Sequence, residues 1–554
     1  MIVFAALMTY HNSFSTPFLF DDRESIAGNM TIRHLWPVWP VLSPPQNTTV
    51  SGRPLINLSL AINYACSGMA VGSYHVVNLA VHIFAGLTLF GIVRRTMLQP
   101  ALRERYGAAA LPLALAIALL WLVHPLQTES VTYVVQRAES LMGLFYLLTL
   151  YCFIRATDPG GSGLWYGLAV AACLLGMTSK EVMVSSPLIV LLYDRTFVAG
   201  SFRAAWRRRW RFYLCLMATW FLLADLVMGT GGRNGTAGFD TTVSWWLYAL
   251  TQFRAIVHYL QLALWPYPLV FDYGDAVLAK SAAEIAPCFF IILLLATATI
   301  ISVWRWPAIG FLGCSFFAIL APSSSVVPVT TELMAEHRLY LPLAVVATLA
   351  VMAIYRLVGR RSVMIFLALA VVLGFLASRR NEDYRNEMSI LADTVAKCPN
   401  NARAHYNYAV CLSEKGLVDE AIAQFRDALE IQPDEAKTLN NLGTVLLLKG
   451  QADEAIDCLQ RALAIHPDFA EAWYNLGNAF FQKGQVNEAI ACYQKNLEIR
   501  PDFAPARNNL GTILFHKGEI DGAIAQFQEA LTVQPDFALA RTNLEKALVQ
   551  KQQK

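Results

Sequence analysis

The chain has 554 residues, 56% of them hydrophobic and only 15% charged, with a formal net charge of +3. Soluble domains carry about 25% charged residues, so these numbers exclude an ordinary soluble enzyme. The basic residues cluster in loops beside apolar blocks, which removes the case for a nucleic-acid partner. Ten cysteines include no CxxC pair and no metal-ligand spacing, and most read as small packing residues in apolar blocks.

Residues 1–10 are apolar but too short to cross a bilayer, which takes roughly 20 residues. They have no basic flank and no cleavage site, so they read as half of a first helix and not as a signal peptide. Next comes Phe18-Leu19-Phe20-Asp21-Asp22-Arg23, which opens a polar loop with an adjacent pair of acids. Neighbouring carboxylates repel, and at a membrane surface the pair points to a general base with a helper, or to a metal site. Ten apolar segments follow, at 75–93, 108–123, 138–155, 164–178, 182–198, 211–228, 283–304, 307–320, 339–357 and 362–378. With the first half-helix they predict about eleven spans. Segment 246–265 carries Gln252, Arg254, His258 and Gln261 and reads as an interfacial helix.

Arginines decide the orientation. Arg94, Arg95, Arg103 and Arg105, then Arg203 to Arg211, then Arg356, Arg360 and Arg361 place three loops on the cytosolic side. The Asp21-Asp22 loop and the C-terminal region then face the periplasm or the lumen. The outward loops hold Arg53, His124, Glu129, Arg137, Glu139, Lys180, Glu181, Glu336, His337 and Arg338. Charges at span ends converging on one face are functional candidates. Arg137, Lys180 and Arg338 suit a phosphate, and the acids suit proton removal from a hydroxyl. A lipid-phosphate donor in the bilayer and a hydrophilic acceptor outside fit this set, with sugar transfer as the reaction and phosphate as the leaving group.

Beyond Ser378 the composition turns charged and Ala-rich. The expected division is a membrane domain over 1–378, a linker and first helix over 379–401, four repeats at 402–435, 436–469, 470–503 and 504–537, and a capping helix and tail over 538–554. The repeat is 34 residues. It aligns Ala409, Gly443, Gly477 and Gly511, then Gly416, Gly450, Gly484 and Gly518, then Phe425, Leu459, Tyr493 and Phe527, and closes on Pro433, Pro467, Pro501 and Pro535. This pattern looks like the tetratricopeptide repeat (TPR), a helix–turn–helix unit stacked into a solenoid. The fold class is therefore all-α: a polytopic membrane bundle followed by a TPR solenoid. Asn407, Asn441, Asn475, Asn509 and Asn543 recur at the same spacing. Asn is a poor helix former, so these positions read as a carboxamide ladder that binds a peptide backbone, replaceable with little loss of stability.

Taken together, Phe20-Asp21-Asp22, Arg53-Pro54-Leu55, Tyr74-His75-Val76-Val77-Asn78 with His82, His124-Pro125-Leu126-Gln127-Thr128-Glu129, Arg137-Ala138-Glu139, Ser179-Lys180-Glu181 and Ala335-Glu336-His337-Arg338-Leu339-Tyr340-Leu341-Pro342 resemble the transmembrane and tetratricopeptide-repeat protein O-mannosyltransferases, of the GT-C glycosyltransferase fold. The resemblance implies a polyprenyl- or dolichyl-phosphate-linked mannose donor and a Ser/Thr acceptor on an exported protein. It places an acid of the first outward loop, Asp21 or Asp22, as general base, with Asp21 favoured as base and Asp22 as its orienting partner. It leaves a divalent cation open. The alternatives are another sugar or acceptor on the same fold, a non-catalytic TPR scaffold in the membrane, and a transporter, which would want its charges mid-span.

Overall fold

The computed structural model describes every residue except 47, 231–242, 280, 326, 330–331 and 554. Among the described residues the regular structure is helical, with no strand. The chain divides into two compact units, Met1–Lys397 and Cys398–Lys554.

We number the longer helices of the first unit α1 Ile2–Tyr10, α2 Pro54–Ser67, α3 Val71–Met97, α4 Ala110–Leu122, α5 Arg137–Thr157, α6 Leu164–Met177, α7 Ser186–Tyr193, α8 Phe202–Gly229, α9 Trp245–Leu264, α10 Ala282–Arg305, α11 Pro307–Leu320, α12 Pro342–Val358, α13 Ser362–Asp383 and α14 Glu387–Lys397. Six runs are long and apolar enough to cross a membrane, namely Val71–Met97, Pro100–Leu122, Val134–Thr157, Phe202–Gly229, Ala283–Arg305 and Pro342–Asp383. The last of these contains both α12 and α13, and α6 and α11 are shorter apolar helices. Every apolar segment anticipated from the sequence is largely helical. Helix α9, with its polar positions, is not among the six.

The core of this unit is α4, nearly all of whose side chains are buried, packed against α3, α12, α13 and α1. Small residues set the closest approaches. A Cβ on Gly143 of α5 would overlap the ring of Tyr340, and one on Gly176 of α6 would lie 2.6 Å from the Met183 sulfur. Tyr340 is in turn a polar hub in apolar surroundings. His82 Nε2–H donates to the Leu122 carbonyl at 2.9 Å, which leaves Nδ1 to accept from the Tyr340 hydroxyl at 2.9 Å. The Tyr340 carbonyl receives the Trp121 indole N–H at 2.7 Å. Buried polar groups in such a setting must find partners.

The segment 379–397, expected as a linker, belongs to this first unit. Helix α13 runs on to Asp383, and Arg380 pairs with Asp383 at 2.8 Å and with Asp393 of α14 at 2.6 Å. Asn381 ties the end of α13 to the start of the chain: its Nδ2 donates to the Thr9 carbonyl at 3.0 Å and to Asn12 Oδ1 at 2.9 Å. The short helix α1 is thus anchored at its far end.

The second unit is four helix pairs, Ala402–Glu414 with Val418–Ile431, Ala436–Leu448 with Ala452–Ile465, Ala470–Gln482 with Val486–Ile499, and Ala504–His516 with Ile520–Val533, followed by Ala538–Gln553. Two sets of glycines act differently. Gly450 and its equivalents sit in the intra-pair turns with φ near 80° (83° at Gly450), where a side chain costs roughly 1–2 kcal/mol. Gly443, Gly477 and Gly511 face Leu459, Tyr493 and Phe527 across each pair, and a Cβ on Gly477 would lie 2.6 Å from the Tyr493 ring. Overpacking of that kind costs about 1–3 kcal/mol. Hydrogen exchange on the full chain should therefore show Gly477→Ala losing protection in both helices of its own pair, whereas Gly160→Ala, in a turn of the first unit, leaves the repeats unchanged.

Candidate active site

The acid pair lies between α1 and α2, in a turn held from several directions. Both oxygens of Asp22 are engaged: Oδ2 accepts from the Leu19 N–H at 3.1 Å and Oδ1 from the Val135 N–H at 2.7 Å. The side chain is buried, and burial pushes its pKa up to about 7 against the pull of those backbone donors. Asp21 is exposed. Its N–H donates to the Tyr133 hydroxyl at 3.0 Å. Desolvation of its carboxyl by the surrounding protein, followed by the charges of Glu332 and Glu24, raises its pKa to about 6, while a hydrogen bond from Tyr133 opposes the rise. Between the two anchors, Phe20 has φ +40°, a left-handed conformation uncommon for an aromatic residue. It is held there by the Glu387 carboxylate, which accepts from the Phe20 N–H at 3.1 Å and pairs with Arg23 at 2.6 Å, and by stacking on Phe271, ring centroids 4.9 Å apart.

Facing this turn is the segment that includes Glu336–Leu339. His337 Nδ1 lies 2.7 Å from Glu129 Oε1, and Nε2 lies 3.4 Å from Glu332 Oε2. Burial opposes the imidazolium, but the two carboxylates outweigh it and hold the His337 pKa above its ordinary value. Glu332 links the two groups, since its charge acts on Asp21 and on His337. Arg338 is buried and bonds to neutral oxygens only: the Tyr248 hydroxyl at 3.4 Å, Ser324 Oγ at 3.5 Å and the Glu332 carbonyl. Among the described residues it has no carboxylate ion-pair partner. Glu336 accepts from the Val270 N–H at 2.5 Å and the Tyr273 hydroxyl at 2.9 Å. Burial pushes its carboxyl up to about 7, against the charge of Arg380.

Other residues singled out from the sequence are placed differently. Lys180 is not a free cation, because its Nζ pairs with Glu139 at 2.5 Å and both side chains are buried. Its charge nevertheless reaches His337. Arg137 does not present itself to a ligand, which corrects its reading as a phosphate contact. It is fully buried, and its donors reach Asn78 Oδ1 at 2.6 Å, Asn63 Oδ1 and the Tyr74 carbonyl at 3.0 Å, and Ser59 beyond. The physical reason is that a guanidinium inside a bundle takes the nearest neutral acceptors when no anion is available. His124 Nδ1 accepts from the Leu126 N–H at 3.3 Å and caps a short turn, and burial pulls its pKa down to about 4. Arg53 precedes α2 and donates to the Thr49 carbonyl at 3.0 Å. Glu181 opens the turn Glu181–Ser185. Tyr133, Glu332 and Glu387 were missed by the sequence reading. Among the described residues, no three His, Cys, Asp or Glu converge as a metal-ligand set, and Asp22 has no oxygen free of a hydrogen bond.

In the repeats the Asn ladder runs between neighbouring units. Asn441 donates to the Tyr406 hydroxyl at 3.0 Å, Asn475 to Asn440 Oδ1 at 2.9 Å, Asn509 to Asn478 Oδ1 at 3.0 Å, and Asn543 to Asn508 Oδ1 at 2.9 Å. Among the described residues, no bond of this kind is made by Asn407, in the first pair. In Asn441, Asn475, Asn509 and Asn543 the amide donor is thus engaged with the preceding unit, which gives these residues a structural contact besides any role in peptide binding. Asn475→Ala should lower stability by about 0.5–1.5 kcal/mol, read as earlier loss of hydrogen-exchange protection at the junction of the second and third pairs.

These two architectures, a helical bundle with membrane-length apolar helices and a 34-residue helix-pair array, define a multi-span membrane protein with a TPR arm. The models named TPR repeat and Tetratricopeptide repeat match residues 443–484, 470–503 and 376–436. A protein O-mannosyl-transferase of Caenorhabditis elegans is 25% identical over 78% of this chain and 62% of its own length. Protein O-mannosyl-transferase TMTC4 of Mus musculus is 27% identical over 77% of this chain and 65% of its own. Among solved structures, PilW, a type IV pilus biogenesis factor, is 28% identical over 32% of this chain and 84% of its own, with a TM-score of 0.29. The chain is similar to these proteins named O-mannosyl-transferases, and it spans a little under two thirds of the length of those two relatives.

The geometry assigns the two acids different work, and limited proteolysis separates them. Asp22→Ala leaves two buried N–H groups without acceptors, at about 1–3 kcal/mol each, so cleavage within 19–28 should quicken about tenfold or more. Asp21→Ala should leave the cleavage rate near that of the parent chain.

Proposed function

We propose that the chain is a GT-C glycosyltransferase that moves a sugar, mannose by its relatives' names, from a polyprenyl- or dolichyl-phosphate donor to Ser or Thr hydroxyls of exported proteins. The observation that carries the reading is Asp21: an exposed carboxyl on a strained turn, with its pKa raised to about 6, in a relative of named O-mannosyl-transferases. A base is most effective when its pKa lies near the working pH. The acceptor hydroxyl oxygen attacks the anomeric carbon, the bond from that carbon to the phosphate oxygen breaks, and the hydroxyl proton passes to Asp21. The lipid phosphate leaves as an anion, and Arg338 is the cation for it, because its donors face neutral oxygens that a phosphate can displace or join. Asp22 positions the turn. Glu332 couples Asp21 to the Glu129–His337 pair, and the charge of Lys180 acts on His337. The arginine-rich loops support a non-cytosolic side for the Asp21 loop and the repeats, and the TPR array is the part suited to hold the protein acceptor.

Asp21→Asn should lower sugar transfer by about 10²–10⁴-fold, with the proteolytic pattern and donor retention unchanged. In the parent enzyme the rate should fall as pH drops through about 6, because protonation removes the base. Transfer of labelled sugar to a Ser/Thr peptide in proteoliposomes measures both. Full activity in Asp21→Asn refutes the assignment.

A further inference from the structure

A second cluster lies where the end of α7, the start of α8 and the end of α10 meet. Asp194–Val198 continues α7 as a wide turn. Asp194 is buried and engaged on its inner side: Arg209 Nη1 reaches both carboxylate oxygens at 2.9 Å, and the Tyr213 hydroxyl donates at 2.5 Å. The next residue, Arg195, has no such partner. It is only 9% exposed, no hydrogen bond is made by its side chain among the described residues, and Nη1 is buried without an acceptor. Thr196 Oγ1, its neighbour, is also buried and unpartnered. The guanidinium lies between two rings, with Phe202 at 5.7 Å and Trp304 at 5.4 Å. A buried cation with no anion and no acceptor is costly, and rings offer only part of what an acceptor would.

The surroundings indicate what completes it. Trp304 and Trp306 are exposed at the end of α10, as are Ile300 and Ile301 one turn before them. That is the composition of a helix end at the lipid boundary, where aromatic rings sit at headgroup depth. Arg203, Arg207 and Arg208 on α8 are exposed and have no ion pair among the described residues. A ligand for this place carries an oxyanion for Arg195, a net negative charge for the arginines nearby and an apolar portion for the tryptophan and isoleucine surface. We infer that Arg195 and Thr196 form a binding site for the phosphate of an anionic glycerophospholipid. One phosphate oxygen accepts from Arg195 Nη1 and another from Thr196 Oγ1, while the acyl chains lie along the exposed face of α10. The site is separate from the Asp21 turn and does not depend on sugar transfer.

Native mass spectrometry of the full chain, released from micelles titrated with phosphatidylglycerol or phosphatidylcholine, tests this. The parent chain should retain phosphatidylglycerol in preference. Arg195→Gln should weaken that retention about tenfold, the loss expected for one charge-assisted hydrogen bond, and Arg195→Lys should fall between. Arg361→Gln, in another basic loop, should match the parent. Equal retention of both lipids by the parent chain overturns the proposal without recourse to any variant. Undiminished retention in Arg195→Gln overturns it too, as does displacement of the lipid by millimolar inorganic phosphate, which would make the site one for a free anion.

Discussion

The bonds from the Leu19 and Val135 N–H groups to the two oxygens of Asp22 are the constraint on which the candidate site rests. The first closes the turn on itself, and the second joins the segment after α1 to the segment before α5, two pieces of chain far apart in sequence. With Asp22 fixed, the backbone of Phe20 has little choice, and its positive φ is imposed by anchors on either side. Asp21 is then the more exposed residue of the pair. The two aspartates have the same chemistry and adjacent positions, and they differ only in what their oxygens touch. That difference is enough to make one a fastening and leave the other available for proton transfer.

Much of this was legible in the sequence because it depends on periodicity and adjacency. Apolar runs of bilayer length become helices because no other backbone arrangement satisfies its own N–H and C=O groups in lipid. The 34-residue spacing survives into structure in detail: Gly443, Gly477 and Gly511 each lie against the bulky residue found sixteen positions later. What could not be read was partnership. Arg137, Lys180 and Arg338 look alike as isolated cations near span ends, yet one is enclosed by amides, one is neutralised by Glu139, and one faces hydroxyls and a carbonyl. Those outcomes depend on which helix packs beside which. Glu332 and Tyr133 escaped notice for the same reason, since nothing in their immediate neighbours marks them as facing Asp21.

The repeats show a similar division between pattern and purpose. Recurrence of Asn at a helical position signalled that the residue had a task. The task seen is contact between successive units. A carboxamide has a donor end and an acceptor end, and in two rungs both are used: Asn441 Oδ1 accepts from Asn440 at 3.2 Å and Asn509 Oδ1 from Asn508 at 3.3 Å, while their donors reach the preceding unit.

Arg137 has a consequence for biogenesis. Arg137 stands at the head of an apolar helix, fully buried, and its five donors are answered by Ser59, Asn63, Tyr74 and Asn78. All four belong to α2 and α3, which leave the ribosome before α5 does. Helix α5 therefore enters a membrane in which its receptor is already waiting, and the order of synthesis itself becomes part of how this protein reaches a single topology.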